Sequence, residues 1–215
     1  MAKKQATKKP NRLITIKRYA LAAANLYGVI KLEDFIKIFN HYEKEPLTEE
    51  EAITMLELLS SISEDLVSYK QGIFANGLFY LYRNKEFQIA KGILQALSHR
   101  PRYLPAKEEF LKFENEQYIE PMEPLLALER FIIKNELVKN GKPDEIRFDV
   151  LDFHYKILLQ GEPSDYMNFF QMRGYEFKDE MQVNIFIGLI IDLHNNTRSY
   201  EHCGHTPAEV GKIME

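Results

Sequence analysis

The chain has 215 residues, 45% of them hydrophobic, with 10 glycines, 9 prolines and one cysteine. That composition excludes a low-complexity or collagen-like polymer and any internal disulfide, and no run reaches the roughly 18 to 20 apolar residues of a bilayer-spanning helix. The formal net charge is −4, yet seven of the 28 basic residues stand in the first eighteen positions without a carboxylate, which leaves 21 against 32 acidic residues in the body.

Residues 1–12 are polar, basic and broken by Pro10, and they read as a disordered arm. Lys3, Lys4, Lys8, Lys9, Arg12, Lys17 and Arg18 are the candidate cations for sequence-independent contact with nucleic acid, through release of counterions. No apolar stretch of the kind a signal peptide carries follows the basic start, and a lone cysteine suits a reducing compartment, so a cytoplasmic protein is expected.

Ile16, Tyr19, Ala20, Ala23, Leu26 and Tyr27 keep helical spacing up to a stop at Gly28. A second helix follows, with Leu32, Phe35, Ile36, Ile38 and Phe39 on one face. Thr48-Glu49-Glu50-Glu51 is a capping box that opens a third helix over 52–60, because the threonine oxygen accepts from an orphan N–H and Glu51 reaches back. Short β-branched and aromatic runs over 65–70 and 73–75, on either side of Gln71-Gly72, predict a small hairpin. Three helices followed by a hairpin is the order of a winged helix-turn-helix.

Helices are then expected over 87–97, over 107–113 behind Pro105 as its N1 residue, and over 125–138, closed by Asn140-Gly141. The last third predicts helices over 144–160, 164–172 and 178–194. The segment 183–191 is apolar nearly all round, as in a central, buried helix. Thr206-Pro207-Ala208-Glu209 opens a final short helix with an N-cap threonine, an N1 proline and an N3 glutamate. The expected fold is mainly α: a basic arm, a winged-helix-like module over 13–100 with one small hairpin, and a helical module over 101–215.

Chemistry-bearing residues crowd together only where the long apolar helix stops. Asn195 and Asn196 are placed to end that helix in left-handed geometry, Thr197 and Arg198 to satisfy its last carbonyls, and Gly204 to allow the turn into Thr206. Arg198 and the helix start at Thr206 are also candidates to meet a phosphate or carboxylate, with His205, Pro207 and Glu209 alongside. His194, His202, Cys203 and His205 are of the right kind for zinc, although the spacing lacks a Cys-x-x-Cys anchor and no cofactor is expected. Tyr42, Tyr80, Tyr82, Tyr103 and Tyr118 are the rings expected at the surface, where they would serve a protein contact.

Tyr27-Gly28-Val29-Ile30 with Glu33 or Asp34, and the tail Asn195-Asn196-Thr197-Arg198, five residues, Gly204-His205-Thr206-Pro207-x-Glu209, resemble a group of uncharacterised helical proteins of Gram-positive bacteria and their mobile elements. A related tail occurs beside small metal-binding SEC-C modules. The resemblance implies a helical bacterial protein and brings no activity. At the positions before Gly204 this chain has His202 and Cys203 where the group more usually has Asn and Arg, and it has no cysteine-rich SEC-C signature.

These residues point to a non-catalytic binding protein, for a protein partner or as a regulatory adaptor, with a homodimer possible. The alternatives are nucleic-acid binding through the arm and a metal-dependent or cysteine hydrolase centred on the His/Cys tail. Against the first alternative, the carboxylates that open the third helix stand where a recognition helix would meet phosphates.

Overall fold

The computed structural model describes residues 8–62, 66–79, 81–120, 122–158 and 164–213. Contacts divide the chain into two units, Met1–Ile119 and Glu120–Glu215. The fold is mainly helical with a small antiparallel sheet, as the sequence periodicities predict.

Unit 1 begins with helix α1 (Lys8–Tyr27), strand β1 (Val29–Lys31), α2 (Leu32–Tyr42) and α3 (Glu49–Ile62). The hairpin β2 (Val67–Lys70) and β3 (Ile73–Asn76) follows, then α4 (Asn84–Ala96) and the short α5 (Lys107–Phe110), which runs into a 3-10 turn (Leu111–Glu114). Gln71 and Gly72 both take positive φ, 51° and 77°, as a two-residue hairpin turn requires. The sheet order is β1-β3-β2, with Ile30 opposite Phe74 and Tyr69 on the other side of Phe74. Strand β1 is absent from the sequence reading, because three residues carry no measurable alternation. Asp65, at the expected start of the hairpin, and Tyr80 lie outside the described residues.

The capping box at α3 forms as expected: Glu51 N donates to Thr48 Oγ1 at 3.2 Å and Thr48 N to Glu51 Oε2 at 3.2 Å. The same carboxylate receives Arg12, whose Nε lies 2.9 Å from Oε1 while its Nη2 donates to the Pro46 carbonyl at 2.6 Å. These bonds hold the first described turns of α1, so residues 8–12 are helical and do not belong to a disordered arm. The Arg12 guanidinium also holds the Glu51 carboxyl down to about 2.

The division falls between Ile119 and Glu120, not at the expected 100/101, for a visible physical reason. Phe110 is fully buried and stacks on Tyr19 at 5.7 Å; Tyr27 Oη donates to the Tyr103 carbonyl, and Tyr42 Oη to the Pro105 carbonyl, both at 2.7 Å. Residues 101–114 thus belong to the first core. This also corrects the expectation of Tyr42 and Tyr103 as surface rings, since both pack against that core, whereas Tyr82 is exposed. Pro105 lies two residues before α5, not at its N1 position.

Unit 2 contains α6 (Glu123–Asn135), α7 (Pro143–Leu158), α8 (Ser164–Gln171), α9 (Glu180–Asn196) and α10 (Pro207–Ile213). Its aromatic centre joins Phe153, Phe170 and Phe186, with Phe170 4.8 Å from Phe153 and 4.9 Å edge-on to Phe186. Burying one such ring contributes roughly 1.5–3 kcal/mol. Arg173 lies over Phe169, its guanidinium carbon 3.7 Å from the ring centre, and pairs with Asp149 and Asp152. Helix α6 stops at Asn135 rather than 138, with Glu136 left-handed at φ 50°, which frees Val138 to bridge to Tyr175. The last two residues of the helix expected over 144–160 lie outside the described residues.

Helix α9 corrects another expectation. Its inner face, Phe186, Ile190 and Leu193, is buried, but Met181, Ile185 and Ile191 are exposed, so it is not enclosed on all sides. Its first turn is capped by Asp179, which accepts from Gln182 N at 2.8 Å. Among the described residues no helix is long and apolar enough to cross a membrane.

Candidate functional site

The tail folds as a closed loop within unit 2. Helix α9 runs through Asn195 and Asn196 and stops at Thr197 with φ −90° and ψ 131°, so neither asparagine adopts the expected left-handed geometry. Asn196 Nδ2 instead bonds back to the Asp192 carbonyl at 2.8 Å. Thr197 Oγ1 does satisfy a terminal carbonyl of the helix, that of Leu193, at 2.8 Å. After a 3-10 turn (Tyr200–His202) the left-handed pair is Cys203 and Gly204, at φ 52° and 83°.

Gly204 therefore stands where a left-handed residue is required, with its N–H bonded to the Ser199 carbonyl at 3.1 Å. Gly204→Ala is expected to cost about 1 kcal/mol in urea denaturation, since alanine tolerates this φ poorly. An unchanged midpoint would contradict the turn geometry.

Helix α10 opens with the second capping box: Glu209 N donates to Thr206 Oγ1 at 3.2 Å and Thr206 N to Glu209 Oε2 at 3.0 Å. Arg198 ties the loop together. Its Nε meets Glu120 Oε2 at 2.6 Å, and its Nη1 donates to Glu209 Oε2 at 2.9 Å and to the Gly204 carbonyl at 3.1 Å. Burial opposes the Arg198 charge, and the two carboxylates outweigh it, so its pKa is raised. Glu209 is likewise pushed up by burial, but the Thr206 N–H and Arg198 overcome this and its pKa is lowered.

This arrangement supplies a structural tie. The guanidinium faces two carboxylates, and the start of α10 already holds the Glu209 carboxylate where a phosphate would sit. A small polar cavity of about 450 Å³ borders Arg198, Glu120 and Lys212, with acidic groups on its wall. Glu120 has no signal in the sequence, since it lies 78 residues from its partner.

The candidate zinc ligands are not brought together: among the described residues no group of three His, Cys, Asp or Glu is arranged to hold a metal ion. His194 Nδ1 bonds to Tyr166 Oη at 3.0 Å, and burial lowers the His194 pKa. His205 Nδ1 lies 3.5 Å from Glu209 Oε2. Cys203 is 1% exposed.

In unit 1, two of the seven candidate cations are engaged in ion pairs, Arg12 with Glu51 and Arg18 with Glu114 at 2.6 Å. Lys17 is exposed on α1. Lys3 and Lys4 lie outside the described residues, and for Lys8 and Lys9 the description extends only to the helical backbone. In the same unit an acidic cleft of about 940 Å³ opens between α1 and α3, bordered by Asn11, Leu13, Thr15, Glu45, Glu50 and Thr54.

The outward face of α3 continues from that cleft. Glu49, Glu50, Thr54, Glu57, Leu58, Ser61 and Ile62 are exposed, and α3 contains no lysine or arginine. Ile62 is 71% exposed and Leu58 46%. The carboxylates at the first turn also serve the helix, whose N-terminal dipole end favours negative charge. Comparison of the chain with protein families, with curated proteins and with solved structures found no match.

Proposed function

We propose that unit 1 is a winged-helix module used for non-catalytic protein binding, in a cytoplasmic bacterial protein of the regulatory or adaptor kind. The element order helix, strand, helix, helix, hairpin with sheet order β1-β3-β2 supports the winged-helix reading. The observation that carries the binding mode is the surface of α3. In a winged helix that reads DNA, the corresponding helix enters the major groove and its first turn faces phosphates. Here that turn presents Glu49 and Glu50, followed by Glu57, Leu58 and Ile62, with no cation on the helix. Such a face repels a polyanion and suits a partner that offers apolar and basic side chains.

The basic start of the chain supports a second, weaker activity, association with nucleic acid through Lys3, Lys4, Lys8 and Lys9. The tail's resemblance to the helical group of Gram-positive bacteria adds a setting and no chemistry. Fluorescence anisotropy of labelled duplex DNA, single-stranded DNA and RNA separates the two readings. The chain lacking residues 1–7 and carrying Lys8→Ala and Lys9→Ala is expected to bind none of them at low salt. Salt-sensitive binding by that shortened chain would overturn the assignment of α3 to a protein partner.

A further inference from the structure

Seven residues precede the described part of α1; Lys3 and Lys4 are among them, and no carboxylate is. They join the fold beside the cleft between α1 and α3. The α1 wall of that cleft is formed by Asn11, Arg12, Leu13 and Thr15, and Lys8 stands one helical turn before Arg12, about 6 Å along the axis. Four carboxylates line the cleft, Glu43, Glu45, Glu50 and Glu51, against one cation, Arg12. Two of them are closely paired, Glu51 with Arg12 at 2.9 Å and Glu43 with Lys107 at 2.7 Å. Glu45 meets Arg12 only at 3.7 Å, and Glu50 has no ion pair among the described residues; both are exposed.

We propose that residues 1–7 fold back into this cleft of their own chain, with the Lys3 and Lys4 ammoniums against Glu45 and Glu50. Reach and charge select this occupant. Four residues of extended chain span about 13 Å, so a lysine four positions before Lys8 reaches carboxylates gathered one turn further on, where Glu45 touches Arg12 and Glu50 adjoins Glu51. The tether holds the segment at an effective concentration of millimolar order, ahead of a free basic peptide of equal strength. Exposed ion pairs are individually weak and screened by salt, which keeps the contact reversible. In place, the segment covers the Glu50 end of the α3 face, and a basic partner for that face has to displace it. That consequence rests on the reading of α3, whereas the docking does not. A polyanion that takes Lys3 and Lys4 frees the cleft, because the same cations cannot neutralise both.

Amide NMR spectra of the nitrogen-15-labelled full chain read the docking whether or not a partner binds α3. Lys3→Ala with Lys4→Ala is expected to shift the amides of Leu13, Thr15, Glu50 and Thr54, which line the cleft. The difference from the parent is expected to vanish in about 1 M salt, where the Debye length falls to about 3 Å. Glu45→Gln with Glu50→Gln, at two exposed positions, is expected to speed tryptic removal of residues 1–4 about threefold or more, since cleavage follows the undocked population. Circular dichroism confirms that the helices remain in both variants. Shifts confined to residues 1–9, or a tryptic rate indifferent to the glutamines, overturn the proposal. Shifts that grow with protein concentration overturn it as well, by seating the segment in a second copy.

Discussion

Arg198→Met is expected to lower the stability of unit 2 by about 2–3 kcal/mol. Methionine keeps the length and the apolar stem, so the lost free energy is that of leaving Glu120 and Glu209 half-buried without their cation. A fully buried pair broken on one side costs about 3–5 kcal/mol, and partial exposure of both carboxylates reduces that. Pairing Arg198→Met with Glu120→Leu removes one of the stranded charges and is expected to recover part of the loss. Urea denaturation followed by circular dichroism reads both, and a single variant within a few tenths of a kcal/mol of the parent contradicts the tie. An anion site at Arg198 makes a different prediction, namely that inorganic phosphate stabilises the parent chain. Because the guanidinium already faces two carboxylates, no such stabilisation is expected.

The second large effect is a loss of stability in mild acid. His154 on α7 is 9% exposed, and burial pushes its imidazole down to about 4 from 6.5. In the unfolded chain it takes up a proton near 6.5, and in the folded chain it resists until about 4. The unfolded state therefore binds more protons across that window, and stability rises with pH through it. The contribution is complete above pH 6.5 and falls by about 3 kcal/mol as the pH drops toward 4. His194, also lowered by burial, adds a smaller effect of the same sign. Glu51 acts only at lower pH, from the ordinary carboxylate range down to about 2. Denaturation midpoints measured at intervals between pH 7 and 4 should fall steeply for the parent and much less for His154→Phe. An equally steep fall in the variant would place the acid sensitivity elsewhere.

What was legible in the sequence was local. Thr48 with Glu51 and Thr206 with Glu209 are separated by one helical turn, and both boxes close as their spacing predicts. Gly28, Gly72 and Gly204 mark left-handed positions for the same reason, since glycine alone adopts them at little cost. What depends on distant partners was not legible. Arg12 reads as part of a disordered arm because its acceptors, Glu51 and the 45–46 carbonyls, lie beyond any local window. The same holds for Arg198 and Glu120, and for Phe110, whose place in the first core moved the boundary between the units. Helix α9 misled in the opposite direction. A nearly continuous apolar run signals burial only when every face finds a cover, and the face around Gly188 finds none among the described residues.

The claim that α3 serves a protein partner is tested most directly by a photo-crosslinking amino acid placed at Leu58 and irradiated in the cells that make the protein. The account predicts a discrete adduct with another polypeptide, insensitive to nuclease and diminished by Ile62→Glu beside it. A nuclease-sensitive adduct, or none above that from a crosslinker at Lys37 on α2, would contradict it.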